Sequence, residues 1–210
     1  MLATRKIKAT TFIEIVIGLG IISFIFIIII DILFRIYRAN TFVAVMTSVN
    51  GELTFMEGSV SNLLKNAQVS SITCPASTID ANSDGHNDKL LIEFTTLRPD
   101  NQQFRLIQLN NLTNPITGNP YNTIALYKYD ETADNFVLYT IFTDPDITVT
   151  SSDVFCTDTT EAPEQGVNLR SITLTTTWSS ILTKNVVFGL GENTPIVEDT
   201  YSYISVLVAN

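Results

Sequence analysis

Residues Phe12 to Ile30 form a predominantly apolar run of nineteen positions whose only charged member is Glu14. As a helix rising 1.5 Å per residue, the run spans about 28 Å, close to the hydrocarbon thickness of a bilayer. A charge in such a segment costs roughly 2.5–3.5 kcal/mol at mid-membrane and less near the edge, where Glu14 sits. An acid in that position therefore calls for a use.

The residues on either side say which way the span points. Residues 1–9 carry Arg5, Lys6 and Lys8 and no acid, which keeps the N-terminus on the cytoplasmic side and sends the rest of the chain outside. Arg35 and Arg38 flank the far end, so the contrast is modest. A cleaved secretory signal needs a small-residue site after the run. Here Asp31-Ile-Leu-Phe-Arg35-Ile-Tyr-Arg38 follows instead, which favours a retained single-pass anchor. With the three leading cations set aside, 9 of the 12 basic side chains remain against 21 acidic ones. So acidic a remainder repels nucleic acid and anionic lipid, and no nucleic-acid partner is expected.

The stretch Lys8-Ala9-Thr10-Thr11-Phe12-Ile13-Glu14 resembles the cleavage and assembly motif of bacterial type IV pilins and type II secretion pseudopilins. In that family a basic leader ends in Gly, Phe-Thr-Leu-Ile-Glu usually follows, and a membrane-embedded prepilin peptidase cuts after the Gly and methylates the new N-terminus. Setting Glu14 on the family's glutamate implies Ala9 as the residue before the cut and Thr10 as the first, N-methylated, mature residue. Ala9 stands where the family has Gly, Thr10 where it has Phe or Met, and Asp31 near where many members have a kinking Pro. The resemblance covers roughly residues 5–40. It implies an assembly role for Glu14: a carboxylate among bundled apolar helices needs a cation, and a neighbour's N-terminal amine at Thr10 supplies one.

Helical spacing continues past the membrane through Ile32, Ile36, Ala39, Val43, Met46, Leu53, Val60, Leu64 and Ala67, interrupted at Asn50 and Glu57. The spacing predicts one near-continuous helix from Thr10 to about Gln68, about 88 Å long, whose second half packs an apolar face on a sheet. Beyond Cys74-Pro75 the texture turns to β-type alternation. Candidate strands are Lys89–Thr96, Phe104–Asn110, Thr123–Tyr129, Phe136–Phe142, Ile147–Val149, Ser171–Trp178, Asn185–Leu190 and Ser202–Val208. Asp130–Asn135 and Arg98–Gln102 read as hairpin loops, and Ser151–Val167 as the longest irregular stretch. The expected fold class is α+β and pilin-like, a long N-terminal helix packed on an antiparallel β-sheet head. The corresponding parts are a leader (1–9), a transmembrane helix (10–31), a stalk helix (32–68) and a β-rich head (69–210).

Two patterns in the head invite chemistry. Asp80, Asn82, Asp84 and Asp88 place oxygen donors at the first, third, fifth and ninth positions of a loop with Gly85 at the sixth, where the His86 carbonyl can also ligate. That spacing suits one Ca2+, although Leu91 stands where a bidentate acid closes an EF-hand and the helix-loop-helix frame is missing. The plainer reading is a solvated Asx-rich turn. Cys74 and Cys156 can pair if the head lies outside the cytoplasm, or stay two separate buried thiols.

The sequence offers no phosphate-cradling glycine loop, no Gly-x-Ser-x-Gly elbow and no second histidine, so no enzyme is expected. Acidic pairs such as Asp144 with Asp146 read as solvated surface. The expected function is that of a structural subunit, membrane-stored and then carried into a cell-surface pilus or pseudopilus. Its partners are other pilin subunits and the prepilin peptidase. The acidic, sizeable head and the altered cleavage site favour a minor or tip subunit. The rival is a signal-anchored extracellular binding domain, calcium-dependent or not, that never polymerises.

Overall fold

The computed structural model describes residues 12–75, 77–97, 101–115, 117–159, 169–180 and 200–209. Helix α1 runs from Phe12 to Lys65. By its contacts the chain divides into two units at Val43/Ala44, each taken separately below.

In the first unit α1 buries none of its described side chains. Phe24 and Ile27 are each 65% exposed, and so are their neighbours on every side of the helix to a similar degree. The helical stripe expected from the sequence begins here with Ile32, Ile36, Ala39 and Val43, yet all four are exposed. Among the described residues of this unit no side chain packs on the helix to select one buried face.

In the second unit α1 buries Val49, Leu53, Met56, Val60 and Leu64, with steps of four, three, four and four residues. The expected Leu53, Val60, Leu64 and Ala67 are buried, Val49 and Met56 join them on the same face, and Met46 is only half-buried. The helix stops three residues before the expected Gln68. Its last turn tightens, with the Asn66 and Ala67 amides bonding the Leu63 and Leu64 carbonyls at 3.1 and 3.0 Å, and Ala67 then bridges Thr96. A 3-10 turn, Val69–Ser71, follows.

Among the described residues eight strands build two antiparallel meanders. The first sheet orders β1 (Ser77–Ile79), β2 (Asp88–Thr95), β3 (Gln103–Thr113), β4 (Pro120–Asp130) and β5 (Asn135–Ile141) side by side. The second orders β6 (Ile147–Thr159), β7 (Leu169–Ser180) and β8 (Thr200–Ala209). An antiparallel sheet beside a long helix makes this an α+β chain. β6 corrects the reading of Ser151–Val167 as irregular, because it pairs with β7 from Ile147↔Ser180 to Thr159↔Leu169. Its polar residues hid it: Ser151, Asp153 and Thr157 face water while Ser152, Val154 and Cys156 face inward, as on a one-sided sheet. β1 has no counterpart among the candidate strands. Candidate Asn185–Leu190, residues 98–100 of the Arg98–Gln102 loop and residues 160–167 lie outside the described residues.

The main core is shared by the stripe of α1 and the inner faces of both sheets. Met56, Leu64, Leu91, Ile92, Ile124 and Trp178 are all fully buried within it. A smaller cluster of Leu90, Ile107, Leu109, Ala125 and Tyr127 lies on the other face of the first sheet, with Ile79 and Ala81 against it. A bulge in β2 between Leu90 and Ile92 lets that strand feed both clusters.

Candidate functional site

The N-terminal candidates divide between described and undescribed residues. Ala9 and Thr10 lie outside the described residues. Glu14 occupies the first turn of α1, exposed, where the partial positive charge of a helix N-terminus favours a carboxylate. Around it α1 presents apolar side chains to every side. It is a helix long and apolar enough to cross a membrane, with none of its most apolar eighteen-residue window buried.

The calcium candidates lie together on the loop from Asp80 to Asp88, which covers the smaller core cluster. Asp88 is fully buried and holds the root of the loop: its Oδ2 accepts the Ala81 amide at 3.0 Å and its Oδ1 the Asn110 amide at 2.9 Å. Burial pushes its carboxyl above the usual range, partly offset by these two amides. Asp80 Oδ2 accepts the Gly85 amide at 3.2 Å, which closes the turn. Gly85 sits at φ +83°, the left-handed region that glycine enters without strain. Asn82 donates Nδ2–H to Asp84 Oδ2 at 2.7 Å, and Asp84 Oδ1 accepts the His86 amide at 2.8 Å. That last bond holds the exposed Asp84 carboxyl below its ordinary value.

In this arrangement the oxygen donors of the loop accept hydrogen bonds from within the loop and from β3. Both oxygens of Asp88 are committed to backbone amides, and the oxygens of Asp80, Asn82 and Asp84 turn toward amides and each other. Among the described residues no three acidic, histidine or cysteine side chains converge to hold a metal ion.

Cys74 and Cys156 are joined as a disulfide with their Cα atoms 6.2 Å apart, a separation within the normal range for the bond. The bond links the segment after α1 to β6.

Sequence reasoning missed the polar contacts that fasten α1 to the head. Glu57, which interrupts the apolar stripe, accepts the Ser202 hydroxyl of β8 on its Oε1 at 2.7 Å. Glu52 Oε2 accepts the Asp144 amide at 2.9 Å from the β5–β6 turn. Burial raises the Glu52 carboxyl above 4.5, the Asp144 amide opposes the shift, and the nearby Asp144 and Asp146 charges add to it. Asp144 is exposed and Asp146 half-buried; the Asp144 carboxylate accepts the Asp146 amide at 3.2 Å, and Asn114, fully buried, donates from Nδ2 to the Pro145 carbonyl at 2.8 Å to shape that turn. The one available signal was an acid placed between apolar positions of a stripe.

Comparison with protein-family models, with curated proteins and with solved structures finds no match to this chain.

Proposed function

We propose that the chain is a structural subunit of a type IV pilus or pseudopilus, of the minor or tip kind. It is stored in the membrane through the first part of α1 and assembled through that helix, with the head outside the cytoplasm. Glu14 pairs with the N-terminal amine of a neighbouring subunit, freed by a prepilin peptidase between Ala9 and Thr10. One observation carries the reading: a single helix begins as an apolar cylinder with an acid in its first turn and ends as a stripe buried in a β head. A plain anchor has no need of either the acid or the continuity.

The test reads the mature N-terminus by mass spectrometry, in cells that hold a prepilin peptidase. Loss of nine residues with a methylated Thr10 is expected, and an intact N-terminus would count for the signal-anchored domain instead. Glu14→Ala should insert in the membrane normally yet enter filaments at a small fraction of the wild-type level; normal incorporation would remove the role given to Glu14. The calcium-dependent form of the rival is tested by calorimetric titration with millimolar CaCl2. Heat that disappears in Asp80→Ala with Asp84→Ala would assign the loop to a cation.

A further inference from the structure

The three-stranded sheet is held at both ends of one strand. At the near end, chain continuity through the Phe142–Asp146 turn carries β5 into β6 at Ile147. Cys156 lies nine residues further on, about 30 Å along an extended strand. Its disulfide partner Cys74 directly follows a segment that is hydrogen-bonded to the first sheet. Thr73 exchanges both backbone bonds with Glu93 of β2, at 2.8 and 2.9 Å, and Ala67 bridges Thr96. The covalent bond therefore fastens the far end of the second sheet to the edge of the first. Beside it the Arg170 guanidinium of β7 donates to the Ile72 carbonyl and pairs with Asp158. Among the described residues, the polar links between hinge and latch gather on residues 148–153: Asn122 of β4 donates to the Thr148 hydroxyl and the Val149 carbonyl, Lys89 reaches the Ser152 carbonyl and Asp153, and the Ser152 hydroxyl meets Gln108.

We propose that Cys74–Cys156 is a redox-sensitive latch that closes the β6–β8 sheet onto the half of the head that carries α1 and β1–β5. Closing is two thiol–disulfide exchanges with a small-molecule disulfide of the glutathione class. One cysteine thiolate attacks that disulfide, forms a mixed disulfide and releases one thiol. The second cysteine thiolate then attacks the mixed disulfide at the first cysteine's sulfur and releases the other. The two protons lost by the cysteines end on the two released thiols, and two electrons pass to the oxidant. Opening is the reverse with two equivalents of the thiol. Both cysteines are only partly buried, so a small thiol can reach the bond. The consequence is a head that stays unlatched in a reducing compartment and closes once it meets an oxidising one. The inference concerns the head alone and stands whether or not the chain polymerises.

The experiment follows amide hydrogen exchange of the full chain in detergent micelles, in oxidised and then in reduced glutathione. Reduction should speed exchange in the Cys156 half of β6 and the facing part of β7 by about tenfold or more, and leave β3 and β4 within about twofold. An even acceleration across both sheets would make the bond a general crosslink and overturn the latch; so would no change at all. Cys74→Ser with Cys156→Ser should exchange like the reduced wild type even in oxidised glutathione, and exchange like the oxidised wild type would also overturn it. If that variant does not fold, reduction of the already folded wild type decides alone.

Discussion

The two stretches of α1 share one backbone geometry and differ in how their apolar side chains are covered. From Phe12 to Val43 no described side chain is buried, and large apolar residues point in every direction. From Ala44 to Lys65 five apolar side chains are buried along one stripe, while Asn50, Thr54 and Gly58 face water. A helix apolar all round has no preferred face for a protein core, whereas a stripe selects one. Period therefore marks where protein covers a helix, and uniform apolarity marks where something other than water must. Chain continuity alone would not separate the two.

The contrast breaks most visibly under truncation. Met56→Ala empties a fully buried site in the stripe and should cost about 2–5 kcal/mol of head stability, whereas Ile25→Ala should leave the head within about 0.5 kcal/mol. Denaturant unfolding of the full chain in detergent, followed by the emission of Trp178, the single and fully buried tryptophan, measures both. Equal losses would mean that the first stretch also packs on protein. The converse substitution probes the first stretch. Ile25→Asp should cost about 2.5–3.5 kcal/mol of membrane insertion and leave Trp178 emission unchanged. The readout is the membrane-bound fraction after alkaline extraction, and full retention would deny that stretch its lipid.

A smaller effect separates the stripe from its polar fasteners. Glu57→Ala removes the acceptor of the Ser202 hydroxyl and should cost about 1.5–3 kcal/mol, a typical value for a hydrogen bond to a charged group. Glu57→Gln, which keeps an acceptor, should recover most of it in the same unfolding assay. If both variants match the wild type, α1 is held by its apolar face alone.

Much of this architecture was legible because it rests on local pattern. The apolar run, the acid near its start, and strands such as Phe104–Asn110 and Thr123–Tyr129 announce themselves through composition and alternation. What stayed hidden depends on partners distant in sequence. β6 looks irregular beyond Val149 because Ser, Asp and Thr cover its wet face, and only pairing with β7 keeps it extended. β1 is three residues long and exists through its bonds to β2. In the calcium candidate, spacing placed five donors on one loop but could not show that Asp88 is buried and committed to the amides of Ala81 and Asn110. Glu52 and Glu57 carried no local signal of their partners at Asp144 and Ser202, ninety-two and one hundred and forty-five residues away.

Glu52 gives the smallest test and the most discriminating one, because it asks whether the second stretch of α1 is truly desiccated beside its stripe. Burial strips water from its carboxylate, and Asp144 and Asp146 repel the charge, so its folded value stands above its ordinary 4.5. Between those two values the folded chain keeps a proton that the unfolded chain has released, which makes the folded state the better proton binder. Stability from this group is therefore complete below the ordinary value and is lost as pH rises through the folded one. Asp88 is shifted in the same direction, so the wild-type profile contains both contributions. Glu52→Gln cannot titrate yet can still accept the Asp144 amide, so its unfolding midpoint should fall less steeply as pH rises above the ordinary value of 4.5. Parallel profiles for the two proteins would mean that water reaches Glu52 and that this face of the helix, like the first stretch, is not covered by the head.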